Sequence, residues 1–313
     1  MRASYRVNED APVLTLQMRV IAIVSEWLAR PAEKVGVERA REALAKAAGS
    51  PAFIVGKVAR LAQIRDDVIS GVKVRRYVPH DAEPGVIVFF HGGGFVVGNY
   101  ETHARPVSAL AAATKREVIA VDYRLAPEHP YPAAVDDCVA VTSALSGRVV
   151  VAGDSAGGAL ATVVARRLGE KVAAQVLIYP VTDNVDELPS FETFARGHFL
   201  SRDTVRFYRQ CYAPDVQRRH EPDCSPLRAG SLKGSAPAYV LLAECDVVHD
   251  EGLAYARKLE RDGVAVKLVE VPGVLHGFFN MQGLPVATRA TREMAAWIVS
   301  AFETNRRGQL SGA

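Results

Sequence analysis

The stretch that most constrains this chain is Val149-Val150-Val151-Ala152-Gly153-Asp154-Ser155-Ala156-Gly157-Gly158-Ala159-Leu160-Ala161. Apolar residues suited to a buried strand run into a Gly-x-Ser-x-Gly pentapeptide. An Ala-rich pattern carrying Leu160, Val163, Val164 and Leu168 at helical spacing follows. The segment reads as strand, sharp turn, helix. A serine at the tip of such a turn sits in a strained backbone conformation, and side chains at the flanking glycine positions would collide with the adjoining strand and helix. Ser155 is thereby pushed outward. At ordinary Gly and Ser usage of about 7% each, three fixed positions match by accident in roughly one chain in ten of this length. The flanking strand and helix patterns make the match informative.

Size and charge narrow the classes. At 313 residues, 49% hydrophobic and 23% charged, the chain can bury a full globular core and slightly exceeds the size at which one core stops growing. One large domain with an appended piece is expected. A formal net charge of +3, with scattered Lys and Arg, argues against nucleic acid as a partner. The short runs Arg166-Arg167 and Arg218-Arg219 read as solvated faces. Cys138, Cys211, Cys224 and Cys245 have neither CxxC pairing nor a His spacing that would build a metal site, so free thiols in a reducing compartment are expected. Arg19 interrupts the apolar run from Val13 to Val24, acidic Glu9 and Asp10 precede it, and no segment approaches about 18 uninterrupted apolar residues. A soluble cytoplasmic protein with no signal peptide and no stable membrane insertion is the expectation.

In chain order, Leu14, Met18, Ile21, Val24 and Leu28 recur at helical spacing beside Trp27, and Pro31 closes that helix. A second helical stretch covers Ala32 to Ala48 and stops at Gly49-Ser50-Pro51. Residues 1–65 therefore form a helical N-terminal element, either packing surface or the roof of a pocket. From Ser70 the pattern turns to strands: Val72 to Tyr77, Val86 to Phe90, Val118 to Val121, Val149 to Val151, Val176 to Ile178, Tyr239 to Leu242 and Val266 to Val269. Helical stretches Ala104 to Lys115, Ala133 to Leu145, Ala156 to Leu168 and Glu251 to Arg261 lie between several of them. This alternation predicts an α/β fold with a largely parallel sheet covered by helices on both faces, and ligands in such sheets sit at the carboxyl ends of the strands.

Two further motifs fall at such ends. His91-Gly92-Gly93-Gly94-Phe95 follows the strand ending at Phe90, and its glycines leave backbone N–H groups free to meet an anion such as the tetrahedral intermediate of acyl transfer. A phosphate-cradling loop would need a Lys-Ser/Thr or a second spaced glycine entering a helix, and Phe95-Val96-Val97 supplies neither. His91 reads as a brace for this loop rather than a reacting group. Asp122 to Ala134 carries Pro127, Pro130 and Pro132, which fix the loop's path; its charged residues read as ties to neighbouring loops.

His91-Gly92-Gly93-Gly94, the run Asp122 to Pro132, and Gly153-Asp154-Ser155-Ala156-Gly157-Gly158 together resemble the hormone-sensitive-lipase family of α/β-hydrolases, in its bacterial carboxylesterase branch. The resemblance extends through Cys245 to Gly252 and Leu275-His276-Gly277-Phe278, covering the chain from about Ser70 onward. It implies an α/β-hydrolase catalytic domain over residues 66–313. A cap would be built from the N-terminal helices and an insertion at about 185–215 that carries Phe191, Phe194, Phe199, Leu200, Phe207, Tyr208 and Tyr212. Those aromatics suit core packing, with acyl-pocket lining as the alternative.

A serine needs a base within hydrogen-bond reach and a carboxylate to orient that base, in the chain order Ser, acid, His for this fold. Of His198, His220, His249 and His276, the resemblance makes His276 the base, while His249, which follows a different strand and has two acidic neighbours, suits a surface role. Asp246 matches the position of the family's triad aspartate. The family's Asp-Pro-Leu is Asp246-Val247-Val248 here, which leaves Asp250 as a weaker candidate. The resemblance also implies an oxyanion hole formed by the N–H groups of Gly93, Gly94 and Ala156, and short- to medium-chain esters as substrates. No cofactor and no metal enter this chemistry. The partner is a small-molecule ester, and assembly into a homo-oligomer is left open. Two other classes use the same framework: an amidase, deacetylase or lactonase with the same three residues, and a non-catalytic binder like the plant gibberellin receptors, whose triad is incomplete.

Overall fold

The computed structural model describes residues 12–28 and 31–310. Glu9 and Asp10, used above to read the N-terminus, lie outside the described residues, as do the side chains of Trp27 and Leu28. Eight strands form one sheet: β1 Gln63–Ile69, β2 Val72–Val78, β3 Val86–Phe90, β4 Glu117–Val121, β5 Val149–Asp154, β6 Val172–Ile178, β7 Ala238–Cys245 and β8 Val266–Leu275. Their order is β1-β2-β4-β3-β5-β6-β7-β8, with β2 antiparallel to both neighbours and every other pair parallel. The mainly parallel sheet is the predicted α/β architecture. Near-continuous apolar runs follow from it, because alternate residues of each inner strand face opposite helical layers.

The helices are α1 Leu16–Leu28, α2 Ala32–Val35, α3 Val37–Ala48, α4 Ala52–Val55, α5 Ala104–Thr114, α6 Ala133–Ala144, α7 Ala156–Leu168, α8 Ser190–Thr193, α9 Arg202–Tyr212, α10 His249–Arg261 and α11 Pro285–Leu310. On one face of the sheet Val88, Phe90, Val151, Leu177, Val240 and Leu242 meet Leu160, Val164, Tyr255 and Leu259 of α7 and α10. On the other, Ile87, Phe89, Val150, Val176 and Leu241 meet Leu110 of α5 and Met294 and Ile298 of α11. No described helix is long and apolar enough to cross a membrane.

Four sequence expectations change. The helix expected over Ala32 to Ala48 breaks at Gly36, whose φ of 84° divides α2 from α3. In α1, Met18 and Ala22 are buried and Val24 is exposed, since from Met18 the helical period returns at the fourth residue and not the sixth. The boundary drawn at residue 65 falls inside β1. That edge strand carries Arg65, Asp66 and Asp67 and is held by Arg75–Asp66 (2.6 Å) and Arg76–Asp67 (3.1 Å) pairs to β2, so no apolar alternation announces it. The paired-arginine runs, expected as solvated faces, are partly exposed but also paired: Arg166 and Arg167 both meet Asp223, Arg218 pairs with Glu221 at 2.9 Å, and Arg219 donates to the Ala213 carbonyl at 2.7 Å.

The segment between β6 and β7 lies outside the sheet and carries α8 and α9. It meets the N-terminal helices, with Thr204 donating to Glu33 at 2.9 Å. Arg41 of α3 reaches Glu128 (2.7 Å) and the carbonyls of Val96 and Ala126, which ties the N-terminal element to the loops after β3 and β4.

The tightest packing is glycine on backbone. A Cβ at Gly157 would lie far inside contact distance of the Phe90 carbonyl, and one at Gly153 would strike the Gly157 carbonyl. Gly157→Ala should therefore cost at least about 1–3 kcal/mol of overpacking strain, read as a lower urea midpoint with the slope unchanged. A wild-type midpoint would mean the contact of α7 with the end of β3 is looser than described.

Candidate active site

Ser155 lies between β5 and α7 with φ 55° and ψ −118°, a conformation that an L-residue holds only when its surroundings impose it. Its N–H donates to the Ile178 carbonyl at 2.8 Å, and the glycine contacts just described allow the turn to be this sharp. The side chain meets His276 Nε2 at 2.9 Å. His276 Nδ1 in turn lies 2.6 Å from Asp246 Oδ2, and all three side chains are buried. A carboxylate only accepts, so it fixes the proton on Nδ1 and leaves Nε2 to accept from the serine hydroxyl.

The pairing of β7 with β8 produces this meeting. Cys245 is registered with Leu275, so the next residue on each chain, Asp246 and His276, emerges alongside the other. The sequence reading ended β8 near Val269; it runs to Leu275, and His276 is the first residue beyond it. The lost Asp-Pro-Leu proline is compensated by packing. Val247 and Val248 are buried, and the Val248 N–H holds Asp246 Oδ1 at 3.0 Å. Asp250, the weaker candidate, is occupied elsewhere, by the Ser190 N–H (2.9 Å) and His249 (2.9 Å).

The glycine loop after β3 stands beside Ser155 because β3 and β5 are adjacent, with Phe90 opposite Gly153. Gly93 (φ 121°) and Gly94 (φ 60°) take backbone conformations that favour glycine. Among the described residues, no acceptor is found for the N–H groups of Gly93, Gly94 and Ala156. The arrangement offers a nucleophile, a base, an orienting carboxylate and a cluster of free amide donors. Among the described residues, no group of His, Cys, Asp or Glu is arranged to hold a metal ion.

A family model described as alpha/beta hydrolase fold matches residues 87–280. The ethyl acetate hydrolase of Pseudomonas putida is 42% identical over 227 residues, covering 66% of this chain and 71% of its own. Carboxylesterase NlhH of Mycobacterium tuberculosis is 36% identical over 283 residues, covering 83% and 88%. Among solved structures, an ester hydrolase from the metagenome of Lake Arreo, complexed with a bipyridine phosphonate derivative, superposes with a TM-score of 0.86. It has 34% identity and covers 93% of this chain and 100% of that one. The hyperthermophilic esterase of Pyrobaculum calidifontis gives 0.86 at 33% identity, with 92% and 98% coverage. This chain belongs to the hormone-sensitive-lipase family of α/β-hydrolases. Within that family it falls in the carboxylesterase branch.

Other residues of this α/β-hydrolase take sharper roles than the sequence assigned. His91 stacks on Tyr123 (ring centroids 4.2 Å apart, 10° between planes) and its Nδ1 faces its neighbour's carbonyl, Gly92 O, at 2.8 Å. Burial pushes its pKa down to about 3, so it stays a neutral brace. Arg124–Asp137 (2.8 Å) and Glu128–Arg41 tie the proline-rich loop to its surroundings as expected. The aromatic cluster divides. Phe191, Phe194 and Tyr212 are core, whereas Tyr208 lies over Gly94 and Phe199, 49% exposed, rests near Gly277. Of the adjacent pair Phe207-Tyr208 in that cluster, Tyr208 is the one that reaches the glycine loop. Tyr179, whose ring lies 4.5 Å from that of His276, was missed, because nothing local in Ile178-Tyr179-Pro180 marks it.

His249 bridges Asp250 of α10 (2.9 Å) and Glu270 of β8 (2.7 Å), and Glu244 of β7 lines the same recess. Both ring nitrogens face acceptors, which favours the imidazolium. Burial opposes the charge, but the bonds to Asp250 and Glu270 prevail and raise its pKa above the ordinary value. A raised folded-state pKa contributes stability that is fully present below the unfolded value of about 6.5 and is lost as pH rises through the folded one. Thermal melts should thus show the wild type losing its advantage over His249→Gln as pH climbs from 6 to 9. A difference that stays constant across that range would refute the clamp.

Proposed function

We propose that this chain is a serine carboxylesterase that cleaves short- to medium-chain carboxylic esters through an acyl-enzyme, with Ser155 as nucleophile, His276 as base and Asp246 as orienting carboxylate. The observation that carries the reading is the hydrogen-bonded series Ser155–His276–Asp246, at 2.9 and 2.6 Å, beside free glycine amides. His276 takes the hydroxyl proton as Oγ attacks the ester carbonyl, and Asp246 stabilises the imidazolium that forms. The N–H groups of Gly93, Gly94 and Ala156 receive the oxyanion, and donors of this kind contribute about 2.7–4 kcal/mol each. Collapse returns the proton to the departing alcohol. Water, deprotonated by the same histidine, then releases the acid and frees Ser155.

The name of the Pseudomonas putida relative, ethyl acetate hydrolase, supports a small ester as substrate. An amidase, deacetylase or lactonase would use the same three residues, and comparing p-nitrophenyl butyrate with an anilide separates these readings. A gibberellin-receptor-like binder is disfavoured because all three side chains are present and in contact. We assign the cap to the N-terminal helices together with the segment between β6 and β7, supported by the Thr204–Glu33 bond. A cytoplasmic setting belongs to the same proposal, supported by four free cysteines.

Purified protein should hydrolyse p-nitrophenyl butyrate, and Ser155→Ala should lower kcat on the order of a million-fold, the scale seen when the nucleophile of an unrelated serine hydrolase is removed. An organophosphonate should label Ser155, read by peptide mass; a label elsewhere would reject the assignment. Tyr208→Ala and Phe199→Ala should shift preference toward longer acyl chains, measured as kcat/KM across p-nitrophenyl esters, while Phe207→Ala should not. An unchanged profile in the first two would place the pocket away from the cap aromatics.

A further inference from the structure

Asp154, the residue before the proposed nucleophile, is buried and takes no part in the chemistry above. Its Oδ1 accepts the Gly92 N–H at 2.9 Å and faces His103 Nε2 at 3.4 Å, while its Oδ2 accepts from Asn280 Nδ2 at 3.3 Å. These partners come from three different segments. Gly92 immediately precedes the two loop glycines, Asn280 lies four residues beyond His276 on the short turn Phe278–Asn280, and His103 precedes α5. The His103 ring is held from its other side by Thr102 Oγ1 at 2.9 Å.

The contact with the loop is built rather than incidental. A Cβ at Gly92 would come within 2.5 Å of Asp154 Oδ2 and 3.0 Å of the Asp154 backbone carbonyl, so the close approach of Asp154 leaves room only for glycine at position 92. We propose that Asp154 is a positioning residue for the reaction: it fixes the Gly92–Gly94 loop to the serine turn and to the segment after His276, so that the oxyanion donors hold their distance from the reacting carbonyl. The inference rests on the esterase reading. Burial alone would raise the pKa of Asp154, but His103, Asn280 and the Gly92 N–H outweigh it and bring the value below the ordinary one, consistent with a carboxylate kept charged to accept these bonds.

The loop needs such a tether. Gly93 and Gly94 both have positive φ and no side chains of their own, so the loop holds its place only through what packs on and bonds to it: Tyr208 over Gly94, the Val96 and Val97 N–H groups on the Gly93 carbonyl, and Asp154 on the Gly92 N–H. Oxyanion donors act only within about 2.7–3.1 Å of the developing charge, and losing one costs about 10²–10³ in kcat. An untethered loop would lose that placement without affecting how the ground-state ester enters the pocket. The signature is a fall in kcat with KM held, matched by weaker binding of a transition-state analogue.

The test compares wild type, Asp154→Leu and Asp154→Asn on p-nitrophenyl butyrate and with an alkyl trifluoromethyl ketone, whose tetrahedral adduct needs the oxyanion donors. Leucine fills the space and accepts nothing, so kcat should fall about 30- to 1000-fold with KM within about threefold, and the ketone inhibition constant should rise in parallel. Asparagine keeps an acceptor for Gly92 but loses the charge and turns an amide toward Asn280, so its kcat should lie between the other two, at least about threefold below wild type. If the leucine variant does not fold, the asparagine variant decides alone. Wild-type kcat and ketone affinity in either variant, with only the melting temperature reduced, would overturn the proposal and leave Asp154 a structural residue. A wild-type protein inert to esters yet labelled at Ser155 would instead overturn the esterase reading.

Discussion

The C-terminal edge of the sheet depends on one close approach, that of the Gly157 backbone to the carbonyl of Phe90. Strands β3 and β5 lie side by side in parallel with Phe90 opposite Gly153, so the two loops they release leave the sheet together. The chain passes from β3 to β4 on one side, whereas β5 begins the other half of the sheet, which makes the β3/β5 gap the point where strand order reverses and ligands gather. Any side chain at position 157 would push the serine turn off the end of β3. The proposed nucleophile and the proposed oxyanion donors would then no longer share one crevice.

A second pairing supplies the other half of the site. Ala243 is registered with Val271, but Cys245 with Leu275, so β8 takes up two extra residues at the irregularity around Pro272-Gly273. Without it, the residue opposite Asp246 would be Val274 rather than His276. The irregularity is held from both sides: Glu244 accepts the Gly273 N–H at 2.7 Å, and the Gly273 carbonyl accepts the Thr15 N–H at 3.0 Å. The N-terminal element thus contributes to the register of His276, through backbone bonds that its side-chain pattern does not express.

These two pairings explain what was legible in the sequence. The serine turn, the glycine loop and the alternation of strands and helices are set by neighbours in the chain, so their residues announce them. Helix α7 has the limits read from the pattern, and α5, α6 and α10 deviate by no more than two residues. The assignment of His276 and Asp246 as proposed base and carboxylate rests on family resemblance in the sequence, because only the β7–β8 register makes the two adjacent. What stayed hidden is long-range in the same sense: β1 coheres through Arg–Asp pairs to β2 instead of apolar alternation, and His103 meets Asp154 across 51 positions of sequence. The final helix α11 buries Ala287, Ala290 and Ala295 beside Met294 and Ile298, a small-residue face that carries little hydrophobic signal.

Glycine also links the cap to the chemistry. Gly94 and Gly277 both have positive φ, one in the loop of proposed oxyanion donors and one directly after His276. Each lies beneath an aromatic ring of the segment between β6 and β7: a Cβ at Gly94 would overlap the Tyr208 ring, and one at Gly277 would come within 3.3 Å of Phe199. The residue type that lets the backbone turn at these points therefore also lets those rings settle against the loops that flank Ser155 and His276. Phe199 itself holds φ 70°, a strain for an aromatic residue that the surrounding insertion must sustain. On the proposed function, substrate choice and transition-state stabilisation would be coupled here, since Tyr208 and Phe199 rest on the two loops assigned to the chemistry, and a change in either ring alters the packing above Gly94 or Gly277.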